Sequence, residues 1–266
     1  MKARHGRLNV TRAVDGAFVK IGAVPESARP ARLQVEAWAI GAARQCGVRV
    51  PAVLSYEVSA TQGEVLRLQH LVGHGLRTSV TDQSERAFSD VGRQLALLHL
   101  ADLDGFGWVD PQTWRGTSPS WRSFIGQYTE TYGTRLVREK LLDNSYLTRL
   151  LDQCQNLVPE LDRPALVHRD IKPANLLVED NTDLVWILDW ENVLLGDGLY
   201  DLALFGMRFG HGHHWHALCA GYGLSDLPPC FGLYEQVALV GMIDHRRIHG
   251  LAMSRCLRRL ANLAAR

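Results

Sequence analysis

The sequence predicts an α+β fold in two lobes, a small β-rich lobe over residues 1–73 and a larger, mainly helical lobe over 74–266. Three observations predict it. Strand-type patterning is concentrated before residue 73. Beyond it, apolar residues recur mostly at helical spacing. One charge-dense stretch, "HRDIKPANLLVED" at 168–180, lies between two apolar runs, and this is where a short strand pair is expected inside the helical lobe.

The elements follow in order. "LNVTRAVDGAFVKIG" reads as two short strands around an Asp-Gly turn. Residues 31–46 carry apolar positions at helical spacing and end at "CGV", a glycine stop. "VPAVLSYEVS" and "EVLRLQHLV" read as strands, and "GHG" at 73–75 as a hinge between the lobes. "SERAFSDVGRQLALLHLADL" is a helix opened by a serine. "WRSFIGQYTETYGTRLVREKLL" and "SYLTRLLDQCQNLV" are helices too. "LVWILDW" is a strand buried on both faces, and residues 200–220 and 231–265 are helical again.

A length of 266 residues allows one large domain or two lobes with ample core. Net charge is +1, spread as +5 over 1–73, −9 over 74–240 and +5 over 241–266. The basic first segment suits an anionic ligand and the acidic middle a cationic one. No apolar run approaches the ~18 residues of a membrane span. The opening "MKARHGRLNV" lacks the apolar centre of a secretory signal. Five cysteines at 46, 154, 219, 230 and 256 show no metal-ligand spacing and are expected as free thiols in a cytoplasmic protein.

Charge between apolar strands is costly unless a ligand compensates it. Asp170 and Asn175 lie five apart, and Asp189 ends the strand "VWILD". Side by side, these three offer two carboxylates and an amide oxygen. Such hard donors suit Mg²⁺ held jointly with phosphates. One carboxylate can instead accept a proton from an attacking hydroxyl. His168, Arg169, Asp170 and Asn175 match H-R-D-x-x-x-x-N, the catalytic-loop pattern of protein kinases.

"LVHRDIKPANLLV…VWILDWENVLLGDGLYDLALFG" resembles the aminoglycoside phosphotransferase and choline kinase superfamily, small-molecule kinases with a protein-kinase-like fold. The resemblance is sharpest at 166–206, extends to 16–54 and 91–108, and weakens after 210. Asp189 is followed by Trp-Glu rather than Phe-Gly, and "GDGLYDLALF" follows at once, both as in this superfamily. "HRDIKPAN" itself is nearer to the Ser/Thr protein kinases.

The resemblance implies a role for each matching residue. Asp170 is the base that orients the acceptor hydroxyl. Asn175 and Asp189 hold Mg²⁺. Lys172 reaches the γ-phosphate of ATP. His168 braces the loop, Glu191 lies behind the metal, and Asp201 caps the helix that follows. Lys20, on a strand, meets the α/β-phosphates and is fixed by Glu36 on the next helix. Backbone groups from Gln69 to Leu71 meet adenine. The strand that should precede the lysine strand is missing or reduced to a few residues, with "HGRLN" as the turn and Gly6 near the phosphates.

The function implied is ATP-dependent phosphoryl transfer to a hydroxyl of a small, cationic molecule of the aminoglycoside or amine-bearing metabolite kind. Neither nucleic acid nor membrane is an expected partner, and oligomeric state is not legible. A Ser/Thr protein-kinase-like enzyme and a non-catalytic nucleotide-binding pseudokinase are the rivals. The histidines of "GHGHHWH" at 210–216 read as a loop or helix start rather than a metal site. The basic amphipathic tail reads as the outer face of a last helix, and Trp108, Trp114 and Trp121 as core or pocket lining.

Overall fold

The computed structural model describes residues 4–5, 10–14, 16–22, 32–59, 63–76, 81–180, 182 and 184–264. The chain opens with β1 (Arg4–His5), β2 (Val10–Val14), β3 (Ala17–Ile21), α1 (Arg32–Gln45), β4 (Val53–Ser59) and β5 (Gly63–Gln69). These strands form one antiparallel sheet in the order β1-β2-β3-β5-β4. The expected hairpin is β2–β3, with Gly16 at φ +75 in its turn. The strand ahead of it is present as β1, whose described residues Arg4 and His5 pair with Thr11 and Val10 of β2. Gly6, assigned to the phosphate turn, lies outside the described residues.

The helix α1 is fastened to the sheet by a residue the sequence did not advertise. Glu64 on β5 is buried, and its carboxylate accepts the N–H groups of Arg32 (3.1 Å) and Gln34 (3.0 Å). A carboxylate at a helix N-terminus satisfies donors that have no intrahelical acceptor. α1 is therefore held at a fixed height over β5, which sets where Glu36 points.

Gly73–Gly75, expected as a hinge, is β6. It pairs not with the first sheet but with β10 (Leu176–Glu179), which pairs in turn with β11 (Val185–Ile187). The link without regular structure is 70–72. Arg49, between α1 and β4, joins the sheet lobe to this hairpin. Its carbonyl accepts the Ile187 N–H (2.9 Å), and its guanidinium pairs with Asp90.

The helical part contains α2 (Asp82–Leu98), α3 (Trp121–Arg138), α4 (Asn144–Leu157), α5 (Leu199–Phe209), α6 (His213–Tyr222), α7 (Cys230–Ile248) and α8 (Ser254–Ala264). α2 starts earlier than expected. Thr81 is its N-cap, and Ser84, the serine that opens the predicted run, sits three residues on and completes a capping box with it. α2 and α6 cross closely because each has a glycine at the contact. A Cβ on Gly92 would lie 2.1 Å from Leu218 O, and one on Gly221 would lie 1.9 Å from Ser89 O. The predicted run 200–220 is two helices, broken at Gly210–Gly212, where Gly210 has φ +78. The run 231–265 is likewise α7 and α8. All five cysteines are free thiols.

A second small sheet, in the order β8-β7-β12-β9, comprises β7 (Phe106–Val109), β8 (Gly116–Ser118), β9 (Ala165–Val167) and β12 (Leu194–Gly196). The sequence reading missed most of it, because strands of three or four residues show too little alternation. Trp121 is fully buried beside β12 and donates to Tyr234 Oη (2.8 Å). Tyr234 in turn donates to Asp197 Oδ2 (2.7 Å). Asp197 Oδ1 also accepts the Leu199 N–H at 2.9 Å, so Asp197 ties the first residue of α5 to this buried chain of contacts. Among the described residues no helix is long and apolar enough to cross a membrane.

Candidate active site

The buried strand β9 delivers the chain into His168-Arg169-Asp170, and Pro173 starts the 3-10 turn Pro173–Asn175 that returns it into β10. Two backbone donors of this loop would be orphaned by burial. Asp201, 1% exposed, accepts both, from His168 N (2.8 Å) and Arg169 N (2.6 Å). This corrects the reading of Asp201 as a helix cap: the cap position is Gly198, and Asp201 holds the loop from the first turn of α5. Its fixed position accommodates Arg169 at φ +67, a conformation that costs a non-glycine residue free energy.

His168 is completely buried. Its Nδ1 accepts the Asp170 N–H (3.1 Å), and its Nε2 faces Leu188 O (3.1 Å) and so must donate. That pattern is one neutral tautomer. Burial is the largest influence on the ring and holds it below its ordinary value, against the opposing pull of Asp201, Asp170 and Asp189. The ring also packs edge-on against Trp190 at 4.5 Å. As expected, His168 is a brace. It ties the loop bearing Asp170 to the strand end bearing Asp189.

The predicted residues fall into two groups. In the first, Lys20 Nζ donates to Glu36 Oε1 (2.7 Å) and Oε2 (2.9 Å) and to Asp189 Oδ1 (2.7 Å). Burial works against the Lys20 ammonium, but Glu36 and Asp189 outweigh it and hold it charged. Trp190 N also donates to Glu36 Oε1 (3.2 Å), so Glu36 fixes both the lysine and the residue after Asp189. Asp189 has φ +69. One carboxylate oxygen each of Glu36, Asp189 and Glu191 falls within 4.8 Å of the others. Burial first, and the Asp189 charge second, push the Glu191 carboxyl up.

In the second group, Asp170 gathers Lys172 Nζ on Oδ2 (2.5 Å) and Asn175 Nδ2 on Oδ2 (2.9 Å). Arg208 Nη1, from α5, lies on Oδ1 at 2.8 Å. Burial alone would raise Asp170. Arg208, and after it Lys172, outweigh burial and hold the carboxyl below its ordinary value. Asn175 Nδ2 also reaches Asp170 O (3.0 Å), which leaves its amide oxygen as a potential ligand. The two groups meet through the backbone, where Leu188 N donates to Asn175 O (2.9 Å).

Gln69 and Leu71 stand apart from both groups. Gln69 ends β5, with its N–H on Ala52 O (2.8 Å) and its side-chain oxygen on Ala52 N (3.2 Å); Leu71 lies in the 70–72 link. Arg208 was missed, and no local pattern marks it. The histidines of 210–216 diverge: His211 faces Glu235 (3.3 Å), His213 faces Glu85 (3.8 Å) and the His214 ring packs on Phe88 (4.5 Å).

The chain resembles a thermostable mutant of the aminoglycoside phosphotransferase APH(4)-Ia in ternary complex with AMP-PNP and hygromycin B, with a TM-score of 0.76 at 16% identity over 100% of this chain and 92% of that one. A putative fructosamine-3-kinase from Haemophilus somnus 129PT gives 0.64 at 17% identity, over 99% and 89% of the two chains. APH(2")-IIia with GDP and kanamycin gives 0.70 at 14%, over 99% and 92%. At these identities the likeness establishes the protein-kinase-like fold. A segment of 59 residues is 39% identical to mitogen-activated protein kinase mpkC of Aspergillus oryzae, 21% of this chain and 17% of that kinase. The chain therefore spans about a sixth of the length of the curated relatives it matches. The sequence profile described as "Phosphotransferase enzyme family" matches residues 3–233, and on that match the chain belongs to the phosphotransferase enzyme family.

Proposed function

We propose that the protein transfers the γ-phosphoryl group of ATP to a hydroxyl of a small molecule. The observation that carries this reading is the pair of constellations just described, Lys20–Glu36–Asp189 and Asp170–Lys172–Asn175, tied together by His168 and Leu188. Residues 1–73 would form the nucleotide lobe and 74–266 the acceptor lobe, with adenine against the backbone of Gln69 to Leu71. The complexes of neighbouring folds with AMP-PNP, hygromycin B, GDP and kanamycin support a nucleotide donor and a small-molecule acceptor.

The donor set fits a divalent cation. Glu36, Asp189 and Glu191 bring three carboxylates together, and Lys20 is the ammonium paired with two of them. Asn175 and Asp189 would hold Mg²⁺, with Glu191 beside them. When bound, Mg²⁺ neutralises phosphate charge as the leaving group departs. Lys20 orients the α/β-phosphates, and Lys172 exchanges Asp170 for the γ-phosphate. Asp170 receives the acceptor hydroxyl. The hydroxyl oxygen bonds to phosphorus, the γ-phosphorus bond to the β,γ-bridging oxygen breaks and leaves its electron pair with ADP, and the hydroxyl proton passes to Asp170. A carboxyl held below its ordinary value is a weak base, so its main work is orientation, with proton transfer late.

The test is Mg²⁺-dependent ATP consumption against a panel of hydroxyl compounds, with Asp170→Asn alongside. Turnover with one compound, lost on chelation and in the variant, is the expected result. ATP binding without Asp170-dependent turnover by any acceptor would leave a nucleotide-binding protein instead. The local likeness to mpkC favours one second reading, a protein acceptor. Phosphate on a polypeptide rather than on a small alcohol would establish it.

A further inference from the structure

The surroundings of Asp170 restrict what the acceptor can be. A carboxylate oxygen accepts about two hydrogen bonds. Oδ2 already takes Lys172 and Asn175, whereas among the described residues Oδ1 takes Arg208 alone. With Lys172 in place a hydroxyl must use Oδ1, and once ATP draws Lys172 away it meets the same carboxylate with Arg208 still on Oδ1; either way it lies close to the Arg208 guanidinium. Arg208 is partly open, with its side chain 21% exposed. Its Nη1 makes both the Asp170 contact and a long one to Ile171 O (3.5 Å), so among the described residues the rest of the planar fork is left for a second partner.

The charge count points the same way. One carboxylate, Asp170, faces two cations, Lys172 and Arg208. Its neighbour Arg169 stacks on Trp108 at 4.5 Å and donates to Asn192 O (3.3 Å). Among the described residues no carboxylate pairs with it, and its Nε is buried without a partner. ATP would engage Lys172. Arg208 would remain at the acceptor side, balanced by Asp170 and flanked by Arg169 as the surplus cation, with the open edge of its guanidinium toward whatever carries the hydroxyl. An ammonium there meets like charge, while a carboxylate or phosphate meets the bidentate geometry that arginine offers.

Resting on the phosphotransferase reading, we infer that the acceptor is a hydroxylated anion, with a carboxylate or phosphate close to the reacting hydroxyl, and that Arg208 is the residue that selects it. Binding of that anion to the open edge of the guanidinium seats its hydroxyl against the carboxylate that the same arginine holds. This runs against the cationic acceptor suggested by the −9 net charge of residues 74–240, because the charge within reach of the reacting atoms outweighs a regional total.

Two matched probe sets test it: glycerate, glycerol 3-phosphate, glycerol and 3-aminopropane-1,2-diol; and gluconate, glucose 6-phosphate, glucose and glucosamine. Each is assayed for ATP consumption and for thermal stabilisation of the Mg–AMP-PNP complex, in the wild type, Arg208→Gln and Arg208→Lys. The expected result is an anionic member with a KM at least about tenfold below that of its amine. That KM rises about tenfold or more in Arg208→Gln, with a smaller change in kcat, and is partly restored in Arg208→Lys. The carboxylate and phosphate arms tell the two anions apart. Preference for the amine, equal KM across a set, or an anion KM indifferent to Arg208→Gln overturns the inference while Asp170-dependent turnover keeps the wider reading intact. Failure of every anionic probe to bind also overturns it. Whether AMP-PNP itself still binds then decides if the wider reading falls with it.

Discussion

The Asp170 amide donates to Nδ1 of His168 at 3.1 Å, so the residue placed to receive the acceptor proton is positioned by a histidine that must stay neutral to do so. Burial holds the folded-state value of His168 below the ordinary 6.5. Between those two values the unfolded chain binds a proton that the folded chain refuses. Stability is therefore fully present above pH 6.5 and is lost on acidification through that window, at about 1.4 kcal/mol per pH unit. Urea unfolding from pH 7.5 to 5 checks this. His168→Asn is expected to be less stable at pH 7.5 and to have a shallower pH slope than the wild type.

Lys20 and Glu36 are both buried, and removing only one strands the other. Lys20→Met is expected to cost about 3–5 kcal/mol, the usual penalty for breaking a buried pair from one side. Adding Glu36→Gln to that variant should recover part of the loss while leaving nucleotide binding impaired. Denaturant midpoints together with ATP titrations separate the two effects. A Lys20→Met variant as stable as the wild type would contradict the pairing.

Asp201 acts through the backbone of the loop rather than on substrate. Asp201→Ala orphans the His168 and Arg169 amides, at about 1–3 kcal/mol for each buried donor. It should also lower kcat more than it raises KM for ATP, since Lys20 and Glu36 are untouched. Asp201→Asn keeps an oxygen acceptor and is expected to retain part of both stability and kcat. Parallel unfolding and steady-state assays provide the comparison.

The parts legible in the sequence were those in which chemistry lies close along the chain. His168, Asp170, Asn175 and Asp189 fall within 22 residues, and Lys20 and Glu36 occupy a strand and the helix after it. The strand–helix order of the first lobe was legible because alternation and 3.6-residue spacing are local signals. What escaped was set by tertiary contact. Arg208 is an ordinary helix residue until α5 brings it to Asp170, 38 positions earlier. Asp201 has the form of a first-turn helix acid, and only the fold shows that its carboxylate turns to the His168 and Arg169 amides. Glu64 lies in an apolar strand, and its role depends on where α1 lands.

The central claim is that Asp170 receives the acceptor hydroxyl during phosphoryl transfer. Its most direct test is the single-turnover rate of phosphoryl transfer from Mg–ATP to the best acceptor found, in the wild type and Asp170→Asn, with nucleotide affinity measured on the same samples. The account predicts a loss of about 10²–10⁴-fold in rate with nucleotide affinity little changed. A variant that transfers phosphate at the wild-type rate would contradict it.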